Sequence, residues 1–367
     1  MKTLDVLALN SGSSSLKVGF FRMTDGRSEA LFAESLPAAD LQESMAGVTQ
    51  ALSMANMPAP NVIGHRVVHG GPALRKHCVI DDQVLHEIRS AGVFAPLHTP
   101  AALSAIAYAQ RNFPGIPQVA CFDTSFHAQL PDVARVLPLP LELRSAGIQR
   151  YGFHGLSLES IVRQLGDKLP ERMVLAHLGN GASITAVQNG RSIDTSMGLT
   201  PAGGVIMGTR SGDIDPGVLL YLLRHQQRDV AQVAELIDEQ SGLLGVSGLS
   251  GDMRRLHVAA PTNPDARLAI EMFAASVRKQ IAAMISVLNG LDLLVFTGGI
   301  GERDAAVRAA ICGGLSWIGI VLDAAANEAA VNPISHATSR CAVQVMASRE
   351  EEQIACQAWS LLLGRKE

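Results

Sequence analysis

The segment Asp5–Phe21 constrains the fold of this chain more than any other, because two apolar runs flank a turn of small polar residues. The turn, Asn10–Ser15, contains one asparagine, one glycine and four serines. Such a pattern predicts a β-hairpin. A turn rich in backbone amides and hydroxyls next to one cation, Lys17, is suited to bind a phosphate group.

A second segment, Met173–Val187, repeats this arrangement around the turn Gly179–Gly181. Either hairpin alone is most simply an ordinary tight turn. Because both occur at matching places in the two halves of the chain, they indicate two related domains that face each other across a cleft.

The composition places the chain among globular proteins with large buried cores. It has 367 residues, of which 47% are hydrophobic and 17% charged, and this length predicts about two domains. No apolar run reaches the roughly 18 residues that a membrane span needs. The N-terminus enters a predicted strand almost at once, without the pattern of a signal peptide.

Charge and cysteine content narrow the function further. The net charge is −4 and no basic run exceeds two residues, which argues against a nucleic-acid partner. Five cysteines without CxxC spacing argue against disulfides and against a zinc site. We therefore expect reduced thiols in a cytoplasmic protein.

Hydrophobic periodicity predicts strands that alternate with helices, which is an α/β arrangement. In the first half, the predicted elements are strand 62–71 ending in a glycine turn, helix 81–91 with Asp82 as N-cap, helix 99–112 and strand 118–122. In the second half, they are helix 267–288, strand 291–297, a glycine loop 298–301, strand 342–346 and helix 350–363. The polar stretch 22–61 has no assigned element. In a doubly wound sheet, ligands bind beyond the carboxyl ends of the strands.

Several polar residues lie where these strands end. Arg66 interrupts an apolar strand, so it is either half of a buried ion pair or a ligand-binding residue. Asp123 follows strand 118–122 and is either a helix cap or a metal ligand. Arg210 lies in a glycine-rich loop and His154 stands between glycines, and both positions favour a functional role. The chain lacks a P-loop motif.

Eight segments, in order along nearly the whole chain, resemble the acetate kinase family. They are 9–17 (LNSGSSSLK), 64–71 (GHRVVHGG), 95–98 (APLH), 122–127 (FDTSFH), 151–155 (YGFHG), 177–181 (HLGNG), 208–216 (GTRSGDIDP) and 296–302 (FTGGIGE). The resemblance implies an α/β fold of two duplicated ribonuclease H-like domains, as in actin, Hsp70 and sugar kinases, facing an active-site cleft. It also implies a homodimer.

The resemblance implies a role for each matching position. Arg66 and Arg210 would clamp the carboxylate and phosphoryl groups, His154 would join Arg210 in stabilising the transition state, and Asp123 would act in catalysis. Glu350 and Asn10 would lie on the side of Mg²⁺ or Mn²⁺, with Asp123 near the same ion. The residues that would bind the nucleotide and its phosphates are Asn10, Ser13, Ser15, Lys17, His177, Leu178, Gly179, Asn180, Gly181, Asp252, Met253, Arg254, Gly298, Gly299, Ile300 and Gly301.

The implied reaction is reversible, Mg²⁺-dependent, direct in-line phosphoryl transfer from ATP to acetate, giving ADP and acetyl phosphate. Val68, Leu97, Phe153 and Pro201 match the methyl-binding pocket. A kinase for propionate or another short acid shares this site, and a non-catalytic nucleotide-binding switch shares the fold. Residues 1–148 would form the N-terminal domain and 149–350 the nucleotide-binding domain, with helix 351–367 packing back on the first.

Three positions depart from the family pattern. Arg303 stands where asparagine is usual, Arg349 falls in Ser348–Glu351 where Thr-Asn-Glu-Glu is usual, and Ala202–Gly204 replaces Leu-Glu-Gly. The two arginines are either neutral drift or a change in phosphoryl donor, since arginine favours exposed phosphate charge.

Overall fold

The computed structural model describes residues 2–12, 15–37, 41–96 and 98–363, with the backbone alone at 37 and 41–46. The chain divides into two compact units. Unit 1 comprises Met1–Ala128, Phe153–Gln164 and Arg349–Glu367, and unit 2 comprises Gln129–Gly152 and Leu165–Ser348. The chain thus crosses between the units near residues 128, 152, 164 and 348, whereas the prediction had one boundary at residue 148 and a return at residue 350.

The strands and helices follow in chain order. The strands are β1 Thr3–Ser11, β2 Ser15–Thr24, β3 Arg27–Pro37, β4 Val62–Val67, β5 Cys78–Val79, β6 Gln118–Phe122, β7 Arg172–Leu178, β8 Ala182–Gln188, β9 Arg191–Thr195, β10 Leu293–Thr297 and β11 Ala342–Val345. The helices are α1 Leu41–Met54, α2 Asp82–Ser90, α3 Thr99–Asn112, α4 Asp132–Arg135, α5 Leu141–Ser145, α6 Gly155–Leu165, α7 Pro216–His225, α8 Val230–Glu239, α9 Gly242–Ser247, α10 Met253–Ala259, α11 Pro264–Leu288, α12 Gly298–Arg303, α13 Ala305–Gly313, α14 Ala324–Ala329 and α15 Glu350–Leu363.

Each unit contains one sheet, and the two sheets share a topology. The order in unit 1 is β3-β2-β1-β4-β6 with β5 at the edge, and in unit 2 it is β9-β8-β7-β10-β11. In both, three antiparallel strands are followed by two strands parallel to the first. This repeated order is the duplication that the paired hairpins predicted.

The central strand β1 is buried on both faces, and its residues alternate between two cores. Val6 and Ala8 pack with α15, whereas Leu7 and Leu9 pack with α1 and α3. Residues of the same parity as Ala8 therefore point toward the α15 side of the sheet, and Asn10 is the last of these before the turn.

A stripe of small residues lets α15 lie close to this face. Gly19 and Gly64 are the neighbours of Ala8 on either side in the sheet. A Cβ atom at Gly64 would lie 2.4 Å from Cγ2 of Ile354, and one at Gly19 would lie 3.1 Å from Cβ of Glu351. The missing side chains thus determine how near the first turns of α15 come to the sheet.

Several predicted elements are confirmed with small shifts, including both hairpins, α3, α11 and α15. Two local predictions were wrong. The N-cap of α2 is Asp81, whose Oδ1 accepts a hydrogen bond from the Val84 amide at 2.8 Å, and Asp82 is the first helical residue. The predicted glycine loop 298–301 is instead the first turn of α12, which begins directly after β10.

The polar stretch 22–61, to which no element was assigned, contains the end of β2, all of β3 and α1. Strand β3 pairs with β2 at the edge of the sheet. Over the described residues, no helix combines the length and apolar character needed to cross a membrane. All five cysteines lie among the described residues and are free thiols.

Candidate active site

In unit 1, three polar side chains project from the carboxyl ends of neighbouring parallel strands. Asn10 and Arg66 occupy adjacent strands one residue beyond the register pair Leu9 and His65. Asp123 follows β6 with the same parity as Cys121, which is paired with Arg66. The strand order therefore gathers these three side chains on the α15 side of the sheet.

The first turn of α15 completes this group. The Asn10 side-chain amide donates hydrogen bonds to Oε2 of Glu350 at 2.8 Å and to Oε1 of Glu351 at 2.7 Å. The Arg66 guanidinium donates to Oδ2 of Asp123 through Nε at 2.8 Å and through Nη2 at 2.6 Å. It also donates to Oδ1 of Asn10 at 3.4 Å. Four predicted site residues are thus joined in one hydrogen-bonded network.

The charges in this network are unbalanced. Burial disfavours the charged form of Arg66, but the carboxylates of Asp123, Glu350 and Glu351 outweigh it and raise the guanidinium pKa. Burial raises the pKa of Asp123, and the charge of Arg66 acts in the opposite direction. One guanidinium thus faces three carboxyl groups. A bound cation would therefore be stabilised by the excess negative charge of the site.

The donor set fits a hard divalent cation. Carboxylate and amide oxygens are the ligands that Mg²⁺ prefers, and Mg²⁺ is usually held by one or two carboxylates together with substrate phosphates. Among the described residues, no group of three or more His, Cys, Asp or Glu side chains is arranged to hold a metal ion by itself.

The start of α6 lies against Asp123. The Gly155 amide donates to the Asp123 carbonyl oxygen at 2.9 Å, and the Leu156 amide donates to the Asp123 carboxylate. His154, directly before the helix, has a φ of 59°, in the left-handed region. Non-glycine residues held there cost on the order of 1–3 kcal/mol and cluster at functional sites. The structure therefore places a strained histidine one residue from the backbone that contacts Asp123.

Two predicted acyl-site residues, Val68 and Phe153, are buried in unit 1. Buried His69 follows Val68, and its ring lies 5.5 Å from that of Phe153 and 5.1 Å from that of Phe94. Its Nδ1 accepts a hydrogen bond from the Gly71 amide at 2.8 Å. Through His69, the turn after β4 thus packs against Phe153.

Two predicted residues, Ser13 and Leu97, lie outside the described residues. Within the hairpin turn, the Gly12 amide donates to the Ser15 carbonyl at 2.9 Å. Lys17 is exposed and lies directly opposite Asn10 in the strand register. Because opposite residues of antiparallel strands share a face of the sheet, Lys17 is on the same face as Asn10.

In unit 2, the β7–β8 turn meets the first turn of α12. His177 pairs with Thr297 across the parallel strands β7 and β10. Gly298 has a φ of 77°, and a Cβ atom there would lie 2.8 Å from the Leu178 carbonyl oxygen. A side chain at Gly299 would enter open space. Glycine is therefore required at 298 for close packing, and the backbone at 299 is uncovered.

The Gly208 loop joins the same turn. The Gly208 amide donates to the Asn180 carbonyl at 3.2 Å, and a Cβ atom at Gly208 would lie 2.4 Å from Oδ1 of Asn180. A Cβ atom at Gly251 would lie 2.7 Å from the Gly208 carbonyl oxygen. These contacts bring segment 251–254 close to the turn 177–181.

Asp252 caps α10 through the Arg254 amide, 2.9 Å from its Oδ1, and pairs with Nη2 of Arg254 at 2.6 Å. The hydrogen bond from the Arg254 side chain lowers the pKa of Asp252 to about 2. Met253 is buried, and Ile300 is partly exposed.

Arg210 and Pro201 also lie together in unit 2. Nη1 of Arg210 donates to the Pro201 carbonyl oxygen at 2.8 Å. Burial raises the pKa of the Asp238 carboxyl, and the Arg210 charge partly opposes this rise. A Cβ atom at Gly242, whose φ is 62°, would lie 2.7 Å from the Arg210 carbonyl oxygen. The loop that carries Arg210 is thus packed tightly on the start of α9.

Sequence reasoning missed some residues of these groups. Glu351 binds Asn10 as closely as Glu350 does, and its place next to Glu350 was the available signal. Asp238 lies far enough from Arg210 in sequence that no motif connects them. Glu302 accepts hydrogen bonds from the Gly298 and Ser348 amides, both at 3.1 Å.

Comparison with known proteins decides the family. The model of the acetokinase family matches residues 28–356. The chain belongs to the acetokinase family. An acetate kinase of Thermosynechococcus vestitus is 40% identical, with 98% of both chains covered. Acetate kinase 2 of Neisseria meningitidis serogroup B is 47% identical over 80% of this chain and 76% of the relative.

Solved structures agree. A propionate kinase from Francisella tularensis superposes with a TM-score of 0.89 at 36% identity, covering 98% of this chain and all of that one. An acetate kinase from Porphyromonas gingivalis gives a TM-score of 0.85 at 33% identity with the same coverage. The predicted fold class, α/β with two duplicated actin-like domains, is confirmed for this acetokinase.

Proposed function

We propose that this acetokinase catalyses reversible phosphoryl transfer from ATP to acetate, giving acetyl phosphate and ADP. The observation that carries the proposal is the network of Asn10, Arg66, Asp123 and Glu350 in a chain of this family. A nucleotide-binding switch would need no such array of buried charges beside an apolar acyl site.

The reaction depends on charge stabilisation and on alignment of the reactants more than on a general base. Acetate is already ionised at neutral pH and is itself the nucleophile, so no proton has to be removed. Phosphoryl transfer is accelerated chiefly by alignment and by cations around the transferring group. We assign Arg66 to the carboxylate, Arg210 and His154 to the equatorial oxygens of the phosphoryl group, and Asp123 to holding Arg66.

The divalent cation fits the Glu350 side of unit 1. Glu350 and Oδ1 of Asn10 would hold this ion, since Mg²⁺ and Mn²⁺ both accept such oxygen ligands. When bound, it supplies charge neutralisation on the nucleotide phosphates. Glu351 and Arg66 orient the Asn10 side chain through its Nδ2 and Oδ1 atoms.

The nucleotide is assigned to unit 2. The backbone at residues 177–181 and 298–301 would bind its phosphates and border its adenosine, together with residues 252–254. The amides of a short loop that opens a helix suit phosphate oxygens. In unit 1, the hairpin turn with Ser13, Ser15 and Lys17 would lie near the transferring phosphate.

An acyl-phosphate assay tests the proposal. Product is trapped as hydroxamate with acetate, propionate and butyrate, each against ATP, GTP and pyrophosphate. We expect the highest kcat/KM with acetate and ATP. Turnover with no pair would overturn the proposal in favour of the switch.

The same assay tests the two unusual arginines. Arg303 is exposed at the end of α12, and Nη1 of Arg349 lies 3.6 Å from Oε2 of Glu352. A preference for pyrophosphate or GTP that disappears in the Arg303→Asn protein would assign donor choice to that position. An unchanged donor profile would make it neutral drift.

Propionate is the second candidate substrate, because a solved relative with a TM-score of 0.89 is described as a propionate kinase. Val68 is bulky and buried, so the extra methylene should be disfavoured. We predict that Val68→Ala raises kcat/KM for propionate relative to acetate by about 10-fold, since one methylene is worth about 1–3 kcal/mol. Steady-state kinetics with both acids measure this ratio. An unchanged ratio would remove Val68 from the acyl site.

The position of α6 against Asp123 gives another prediction. A Cβ atom at Gly155 would lie 2.2 Å from the Asp123 carbonyl oxygen, so Gly155→Ala must displace the helix or the strand end. We expect kcat to fall about 100-fold, the effect of a displacement of about 1 Å in a catalytic group. Gly313→Ala is the matched control, because a side chain there meets no atom within 4 Å. Equal kcat values for the two variants would contradict the assignment.

We also propose that the protein is a homodimer that uses α7. This helix has no buried residue, and Val218, Leu220 and Tyr221 are 45%, 47% and 53% exposed. Contiguous exposed apolar side chains mark association surfaces. Light scattering should show a dimer for the wild type and a monomer for Leu220→Glu. Met54→Glu, at an exposed residue of unit 1, should remain dimeric, and a dimeric Leu220→Glu protein would exclude α7.

We also propose a cellular location. The five free cysteines suit a reducing compartment. We therefore assign the protein to the cytoplasm, without a nucleic-acid or membrane partner.

A further inference from the structure

The helix that carries Glu350 is held in place by polar contacts that the reaction itself does not use. These contacts come from one face of α6, the helix that begins beside Asp123. Ser160 accepts a hydrogen bond at Oγ from the Arg349 amide at 3.2 Å, directly before the first residue of α15. A side chain of α6 therefore binds the backbone directly before the first residue of α15.

One turn further along α6, Arg163 binds two residues of α15. Its Nε donates to Oε1 of Gln353 at 2.8 Å, and its Nη1 donates to Oε1 of Glu352 at 3.1 Å. Gln353 is only 4% exposed, and Ser28 on β3 also donates to Glu352. The residues that follow Glu350 and Glu351 are thus fixed from two sides.

Glu159 adds a third contact with α15. Its Oε2 accepts hydrogen bonds from the side-chain amides of Gln353 at 3.2 Å and Gln357 at 3.1 Å. Gln353 therefore bridges Glu159 and Arg163. Its side-chain NH₂ group donates to Glu159, and its Oε1 accepts from Arg163. We name Glu159, Ser160, Arg163 and Gln353 the α6–α15 clamp.

The clamp is also anchored to β6, the strand that directly precedes Asp123. Nδ1 of His77 accepts a hydrogen bond from the Phe122 amide at 3.0 Å. The proton of neutral His77 is therefore on Nε2, which lies 3.3 Å from Oε2 of Glu159 and can donate to it. Phe122 immediately precedes Asp123, so Glu159 connects the strand of Asp123 with the helix of Glu350.

We propose that Glu159 and Arg163 are positioning residues that set the divalent-cation affinity of the site by holding the first turn of α15. This inference rests on the assignment of Glu350 to the cation in the proposed function. Neither residue is part of the substrate site that we propose. Partners that orient a metal ligand typically change metal affinity or activity by about 10–100-fold when they are removed.

The first test is Mn²⁺ binding, measured by electron paramagnetic resonance of free Mn²⁺ with protein and ADP and corrected for ADP alone. We expect Arg163→Met and Glu159→Leu to weaken Mn²⁺ binding by about 10-fold or more. Glu159→Gln keeps an acceptor oxygen and should lie between wild type and Glu159→Leu. In steady-state kinetics, the Mg²⁺ concentration for half-maximal rate should rise while the KM for acetate stays constant.

Arg22→Met is the matched control. Arg22 forms an ion pair with Asp5 in the same unit, toward the other end of β1 from Asn10, and its side chain is 42% exposed compared with 34% for Arg163. Removing it should leave Mn²⁺ binding at the wild-type value. Thermal midpoints of all variants show whether a loss of affinity merely follows a loss of stability.

A double-mutant cycle separates positioning from a general structural effect. In the Glu350→Gln protein, Arg163→Met should cause no further loss of Mn²⁺ affinity, because the ligand that it positions is already absent. An equal loss in both backgrounds, or wild-type affinity in the single Arg163→Met variant, would overturn the proposal. Absence of acetate phosphorylation by the wild type would refute the proposed function, whereas the Mn²⁺ cycle would still decide the clamp.

Discussion

The Arg210→Ala protein should fold normally and turn over about 10³-fold more slowly than the wild type, the usual cost of removing an arginine that contacts the transferring phosphoryl group. This loss corresponds to about 4 kcal/mol of transition-state stabilisation. In the structure, Nη1 of Arg210 donates a hydrogen bond to the Pro201 carbonyl oxygen at 2.8 Å. Single-turnover and steady-state rates with acetate and ATP measure the effect.

Two further variants, Arg210→Lys and Arg172→Ala, show whether the effect is specific to the guanidinium of Arg210. Lysine retains the charge but lacks the planar pair of donors, so Arg210→Lys should recover only part of the rate. Arg172 lies at the opposite end of β7 from His177 and pairs with Asp292 at 2.6 Å. Its replacement should leave kcat near the wild-type value. If Arg210→Ala and Arg172→Ala had similar kcat values, Arg210 would have no part in transition-state stabilisation.

The Arg66→Met protein should lose both activity and stability. Asp123 is 1% exposed, and Arg66 supplies both of the short hydrogen bonds to its Oδ2. Removing one partner of a buried ion pair costs about 3–5 kcal/mol, because the remaining charge is left uncompensated. We also expect kcat to fall by about 10³-fold or more, as for Arg210. Chemical denaturation measures the free energy of unfolding, and the hydroxamate assay measures the rate.

Combining Arg66→Met with Asp123→Asn separates the two effects. The double variant no longer buries an unpaired charge at position 123, so most of the lost free energy of unfolding should return. Activity should not return, since the Arg66 guanidinium, which we propose binds the substrate carboxylate, is still missing. Recovery of activity together with stability would mean that Arg66 serves the fold alone.

The sequence predicted those parts of the fold that depend on neighbouring residues. Both hairpins and the helices 99–112 and 350–363 are where turn chemistry and periodicity placed them. The sequence did not predict β3 in the stretch 22–61, because this edge strand shows little alternation in its burial. Its pairing with β2 therefore had no local signature. The prediction of a loop at 298–301 was wrong because it relied on the low helix propensity of glycine. In the structure, close packing against Leu178 favours glycine at the start of the helix.

The candidate site shows the same division. Arg66 and Asp123 were each open to a structural or a functional interpretation when taken singly. Their direct hydrogen bonds, and the network that links them to Asn10, became visible only when β1, β4 and β6 were seen side by side. The α6–α15 clamp had no sequence motif at all, since Glu159 and Gln353 are ordinary surface-type residues until they meet.

What the sequence by itself determined was the identity of the chemical groups and the local elements that carry them, because alternation, capping and turn formation act over a few residues. What only the tertiary structure decided was which groups meet. Asn10 and Glu350 are 340 residues apart and touch because Gly19 and Gly64 let α15 approach the sheet. Such contacts depend on strand order and packing distance, which sum many weak interactions over the whole unit and leave no signature in any one segment.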